Sequence, residues 1–295
     1  MRVFVTGATG FIGSATVKEL IGAGHKVLGL ARSDAAAASL AAAGAEAHRG
    51  SLDDLESLRS GAAACDGVIH TGFNHDFSKF KESCENDRHI IEAMGSALVG
   101  SDRPLIVTSG TALVSGGQLA TEDDVPSAPI PRVATEQAAA SVAKRGVHVA
   151  VVRLPPTVHG DGDHGFVPLL IGIARDKGVA AYIGDGSNRW PAVHRFDAAA
   201  LFRLALEKGA ADARYHGVAE TGIAFRNIAE VIGRRLNLPV VSKSHEEAAT
   251  HFGWFEHFAS LDNPASSART REVLGWQPKH AELMPDLDRP AYFQA

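Results

Sequence analysis

The chain has 295 residues, 45% of them hydrophobic, and a net charge of −5 from 29 basic and 34 acidic side chains. A chain this long buries about three quarters of its unfolded surface, so one large domain, or one domain with a smaller lobe, is expected without metal or disulfide support. No run of Lys and Arg makes a nucleic-acid or anionic-membrane surface, Cys65 and Cys84 fit no metal-ligand or disulfide framework, and no 18-residue apolar stretch or export signal is read; a cytoplasmic protein acting on small molecules is expected.

Residues 2–33, RVFVTGATGFIGSATVKELIGAGHKVLGLARS, read as strand, glycine turn, helix and strand: Val3 and Val5 are β-branched, Ile12, Val17, Leu20 and Ile21 keep helical spacing, and Val27 to Leu30 form a second apolar run. SDAAAASLAAAGAEA then reads as a surface helix held by Leu40. Further strands are expected in GVIHTGF (67–73), PLIVTSGT (104–111) and VHVAVVRLPPT (147–157), with helices near 79–98 and 133–145 between them. Apolar runs without alternation suit strands covered on both faces, hence a parallel sheet in an α/β fold. After Pro155 the texture changes to a loop, HGDGDHG, and shorter apolar pieces. The expected division is a main domain over 1–155 and a small lobe over 156–295, interleaved with it. HFGWFEHF (251–258) reads as one packed helix face, or as a lid over a cleft.

TGATGFIG places Gly7, Gly10 and Gly13 between a strand and a helix, where glycines allow a tight turn, close approach of a pyrophosphate and close helix packing. Thr6, Gly7, Gly10, Phe11, Ile12 and Gly13 are therefore the expected dinucleotide cradle. An acidic tip on the second strand would take the adenosine ribose hydroxyls, but Ala31, Arg32 and Ser33 stand there. Arg32 with Ser33 suits a 2′-phosphate, which makes NADP the expected cofactor. The alternative, with Asp34 reaching the ribose, leaves NAD open.

TGATGFIG, GVIHTGF, VTSGT, VVRLPPTVHG and RWPAVHRFDAA occur in an order that resembles the short-chain dehydrogenase/reductase superfamily, extended type, related to the NAD-dependent epimerase/dehydratases. The resemblance implies a Rossmann-type doubly wound parallel sheet with a small C-terminal substrate lobe. It also implies a Ser/Thr, Tyr and Lys trio for proton transfer. By the same resemblance Ser51 and Leu52 flank adenine, His70, Thr71 and Gly72 turn beneath the cofactor, and Pro155 and Val158 line the nicotinamide end. The family serine falls on Gly110, between Ser109 and Thr111, and the Tyr-xxx-Lys pair falls on Ile130 and Ala134. The three tyrosines, Tyr182, Tyr215 and Tyr292, lie elsewhere.

An apolar wall is thus expected where the family has a phenol and an ammonium. Thr111 and His159 are the expected substitute donors, with His75 and His164 also nearby. His75, His164, Tyr182, Arg189 and Trp190 are the expected substrate contacts, although Arg189 pairing an acid and Trp190 filling core read equally well. Three functions compete: an NADP-linked oxidoreductase on a small carbonyl or alcohol, a dinucleotide-sensing protein without turnover, and a nucleotide-sugar epimerase or dehydratase. A homodimer through the helices near 79–98 and 133–145 is expected by the same resemblance.

Overall fold

The computed structural model describes residues 1–114, 116–126 and 130–294. The chain first alternates β1 (Arg2–Thr6), α1 (Phe11–Gly22), β2 (Lys26–Ala31), α2 (Asp34–Ala42), β3 (Glu46–Arg49), α3 (Leu55–Ala63), β4 (Gly67–His70), α4 (Phe80–Ser96), β5 (Leu105–Gly110), α5 (Val133–Ala143) and β6 (Val149–Leu154). There follow β7 (Thr157–His159), α6 (Phe166–Lys177), β8 (Ala180–Ile183), β9 (Arg189–His194), α7 (Arg195–Lys208), β10 (Arg214–His216), β11 (Glu220–Ala224), α8 (Phe225–Leu236) and β12 (Val240–Lys243). Four helices end the chain: α9 (His245–Phe252), α10 (Glu256–Ala259), α11 (Ala268–Leu274) and α12 (Leu283–Leu287).

Seven strands form one parallel sheet in the order β10-β6-β5-β4-β1-β2-β3. Successive residues of a strand point to opposite faces. Val3 and Val5 of β1 accordingly join one core with Leu20 of α1, Leu40 of α2 and Phe202 of α7, while Phe4 joins another with Leu58 of α3, Met94 of α4 and Val142 of α5. Because helices cover both faces, β4 and β6 are buried along their whole length. This is the doubly wound Rossmann-type sheet.

The lobe has its own core. Two small sheets, β11-β9-β7 and β12-β8, pack with α6, α8, α9 and α12 around Trp190, Phe225, Phe252 and Phe255. α8 buries Ile228, Val231 and Ile232 on one face and stops at Asn237, whose φ of 54° cannot continue a right-handed helix. The 251–258 stretch departs from the single helix expected of it. Gly253 at φ 58° breaks it into the end of α9, a 3₁₀ turn over Gly253–Phe255, and α10. The chain leaves the main sheet after β6, returns for α7 and β10, enters the lobe again, and comes back with α11 against β10.

β6 carries a charged side chain into the interior of the central sheet. Arg153 of β6 is fully buried, and its Nε and Nη2 donate to the two oxygens of Glu136 on α5 at 2.7 and 2.8 Å. Ser109 of β5 donates to the same carboxylate at 2.9 Å. The imidazole of His216 faces the carbonyl of Ser266 with Nδ1 and Nη1 of Arg153 with Nε2, so the ring is the neutral Nδ1–H form, in keeping with burial holding its pKa below the ordinary value. Removing one partner of such a pair strands a buried charge. Arg153→Met is expected to lower the unfolding free energy by about 3–5 kcal/mol in urea titration, and the double variant Arg153→Met/Glu136→Gln to recover part of that loss.

Candidate functional site

The carboxyl ends of the parallel strands meet at the point where strand order reverses, between β1 and β4, which is where ligands sit in open α/β sheets. There the chain is packed too closely for side chains. Gly7 has φ 64°, and a Cβ on it would stand 2.7 Å from the amide nitrogen of Gly72. A Cβ on Gly13 would stand 2.0 Å from the carbonyl oxygen of Gly7. Around this contact Thr6, His70, Thr71 and Gly72 bond one another. The Gly72 N–H donates to the Thr6 hydroxyl at 3.3 Å, Thr6 Oγ1 meets His70 Nδ1 at 2.6 Å, and Thr71 donates to the Thr6 carbonyl at 2.8 Å. These side chains hold the floor of the cradle. Beside it is the first turn of α1, where Gly10 offers no side-chain cap and the leading amides of Phe11, Ile12 and Gly13 lack helical acceptors, an arrangement that suits an anion.

At the tips of β2 and β3 two arginines stand near one carboxylate. Arg32 is exposed and makes no ion pair among the described residues, whereas Asp34 is paired with Arg49. Ser33 has another task, because its hydroxyl caps α2 by accepting from the amide of Ala36 at 3.2 Å. Leu52 lies against Gly72, and Ser51 accepts from the Asp53 amide at 3.3 Å.

At the other end, past β4, β5 and β6, two buried carboxylates organise the polar groups. Glu136 holds Ser109 and Arg153 as described above. Asp87 of α4 receives His70 Nε2 at 2.9 Å, Arg132 Nη1 at 2.8 Å and the hydroxyl of Thr135. Burial opposes ionisation of Asp87, but Arg132 and His70 overcome it and hold the carboxyl below its usual range. Arg132 also donates to the Thr108 carbonyl at 3.0 Å and lies 3.9 Å above the ring of Phe73. The apolar wall expected from Ile130 and Ala134 is therefore corrected: Ala134 is buried in α5, but Arg132 between them brings a guanidinium to the ends of β4 and β5. Sequence reasoning missed it because an arginine just outside a helix carries no spacing signal.

The proposed donors separate into different surroundings. Thr111 is fully buried, with its hydroxyl bonded to the Asn263 side chain at 2.9 Å. His159 is buried in the lobe network, where Nδ1 meets Asp286 at 2.8 Å, and burial lowers its pKa despite that carboxylate. His164 is exposed and sets its ring edge against Phe11, in the first turn of α1. His75 alone joins the Arg132 end. It is exposed, its ring centroid lies 5.2 Å from that of Phe73, and lost hydration together with the Arg132 and His164 charges holds its pKa below the ordinary value. Pro155 is buried and Val158 half-buried on the chain leaving β6.

Of the expected lobe contacts, Trp190 is corrected. It is fully buried, donates from Nε1 to the Phe258 carbonyl at 3.2 Å and fills the lobe core, so it cannot wall a site. Arg189 grips Asp262 through Nε and Nη2 at 2.9 and 2.8 Å. Tyr182 lies on β8, with Arg226 5.4 Å from its ring centre and Gly186 packed against the ring.

The family model for NAD dependent epimerase/dehydratases matches residues 3–218. An uncharacterized protein of Schizosaccharomyces pombe is 56% identical over 295 residues, 99% of this chain and 100% of that one. A 2-alkyl-3-oxoalkanoate reductase of Stenotrophomonas maltophilia is 30% identical over 223 residues, 70% of this chain and 66% of that one. Among solved structures, DesIV, a dTDP-glucose 4,6-dehydratase of Streptomyces venezuelae with NAD and TYD bound, superposes with a TM-score of 0.80 at 19% identity, over 100% of this chain and 97% of that one. With the glycine cradle at the switch point of a doubly wound sheet, the chain belongs to the NAD dependent epimerase/dehydratase family.

Proposed function

We propose that the protein is an NADP-linked oxidoreductase acting on a small carbonyl or alcohol, with His75 moving the proton and Arg132 stabilising the negative oxygen. The observation that carries this reading is the exposed imidazole of His75 and the guanidinium of Arg132 meeting at Phe73, one residue beyond the Gly72 floor of the cradle. Bound in that cradle, the nicotinamide supplies or accepts the hydride. The Arg132 guanidinium offsets charge on the reacting oxygen without giving up a proton. A depressed pKa makes His75 neutral at pH 7. It is then a base toward an alcohol, and its cation is a donor toward a carbonyl. The named activity of the Stenotrophomonas reductase supports the reaction class.

For the cofactor, Arg32 without an ion pair and Arg49 beside it favour a 2′-phosphate over a free ribose hydroxyl. A charge-assisted contact of about 1.5–3 kcal/mol corresponds to roughly 10- to 150-fold in affinity. NADPH is expected to bind more tightly than NADH in a calorimetric titration, and Arg32→Ala to remove most of the difference; equal wild-type affinities would defeat the assignment.

For catalysis, alcohol oxidation is expected to rise with pH through the depressed His75 pKa and level off by neutrality, while carbonyl reduction falls over the same interval. His75→Ala is expected to lower kcat/KM by about 10²-fold or more and to flatten both profiles. Thr111→Val and His159→Ala are expected to reduce stability while leaving the profiles in place. A protein that binds NADPH but turns over no carbonyl or alcohol would instead fit the sensing role. Assembly as a homodimer through α4 and α5 belongs to the same reading, and light scattering at twice the 31.0 kDa chain mass checks it.

A further inference from the structure

Outward from His75 and Arg132, aromatic rings contributed by both halves of the chain meet in a row. The loop after β4 supplies Phe73, His75 and Phe77, and His75 lies 5.2 Å and 6.3 Å from the two phenylalanine ring centres. From the lobe, Trp254 stacks on Phe77 at 4.8 Å with an interplanar angle of 23°, and Phe166 and Phe258 approach the same ring at 6.0 and 5.8 Å. Trp254 nevertheless keeps 55% of its surface exposed. Among the described residues it and Phe196 are the exposed large aromatics, and Phe196 lies against His194 and His280, away from this row. A half-exposed indole laid on a phenylalanine beside a reactive end is apolar surface that a ligand can cover.

The charges along the row argue in the same direction. FNHDFSKF (73–80) carries one Asp and one Lys, and HFGWFEHF (251–258) carries one Glu and neither Lys nor Arg. The nearby Arg189 has its fork on Asp262 and the Gly117 carbonyl. A diphosphate needs cations placed to meet it, and this wall offers no surplus.

We infer that the substrate is a flat, apolar carbonyl or alcohol compound without phosphate, its ring or chain lying along Phe77 and Trp254 with its oxygen toward His75 and Arg132. The inference rests on the oxidoreductase reading for the position of the oxygen, and on the aromatic row alone for the body. Trp254 is the specificity-determining side chain of this wall.

The test is calorimetric binding of 4-phenyl-2-butanone, acetone and UDP-glucose to the full chain, with and without saturating NADP+. The expected order is the phenyl ketone tighter than acetone by at least 10-fold, with UDP-glucose weakest. Trp254→Ala, a change at an exposed position, is expected to weaken the phenyl ketone at least 10-fold and to leave NADP+ affinity unchanged. Phe77→Leu, which keeps apolar volume under the indole, is expected to cost less than Trp254→Ala. The inference is overturned if UDP-glucose binds more tightly than the ketone, if no ketone binds, or if Trp254→Ala leaves ketone affinity unchanged. Ketone binding sensitive to Trp254 in a protein that does not bind NADP+ supports the wall and defeats the cofactor reading alone.

Discussion

Two buried carboxylates, Asp87 on α4 and Glu136 on α5, set the arrangement of everything at the carboxyl ends of β4, β5 and β6. A carboxylate removed from water must be surrounded by donors. Asp87 gathers His70, Arg132 and Thr135; Glu136 gathers Ser109 and Arg153. Each therefore ties a strand or the start of α5 to a helix on the face opposite α1. His70 transmits the first constraint further, since its other nitrogen meets Thr6 beneath the glycine cradle. The position of the glycine turn and that of the Arg132 guanidinium are thus fixed by one chain of bonds through Asp87.

The same demand explains the division of labour among polar residues. Ser109, Thr111 and His159 look reactive by type, yet each lies inside the protein and is bonded to another side chain, His159 through Nδ1 alone, with its buried Nε2 left without a partner among the described residues. The polar side chains that reach outward lie on connecting segments: His75 in the loop after β4 and Arg132 in the approach to α5, the pair proposed above for proton transfer and charge stabilisation. A guanidinium locked by Asp87 and the Thr108 carbonyl has little freedom to reorganise, which is the property that electrostatic stabilisation of a charged oxygen requires.

Much of the fold was legible in the sequence, because a glycine turn between a β-branched strand and a helix has few structural readings and because apolar runs without alternation demand cover on both faces. β1, β2, β4, β5 and β6 with α1, α2, α4 and α5 were legible in this way, whereas β3, short, polar and largely exposed, and α3 carry neither signal; Gly7 and Gly13 were legible as positions where the backbone must approach closely. The far end of the site was much less so. Ile130 and Ala134 have apolar side chains, and an apolar wall follows from them; the guanidinium two residues away depends on a carboxylate 45 positions earlier in the chain. Trp190 and Trp254 are chemically identical and both sit among aromatics, but one closes a core and the other lies at its edge. Periodicity over HFGWFEHF suggested a continuous helix, and a single glycine at positive φ divides it.

The late return of β10 to the main sheet has a consequence for how the chain can be cut or recombined. Strand pairing on the outer edge of β6 comes from residues 214–216, after roughly 60 residues that build part of the lobe. A fragment ending near the sequence boundary at 155 would keep the whole glycine cradle and lose that neighbour, exposing the unpaired backbone of β6 as an edge on which another chain can add. It would also lose α7, which covers α1, and His216, which accepts from Arg153. By this topology the lobe can be exchanged as a block only together with the last strand of the parallel sheet.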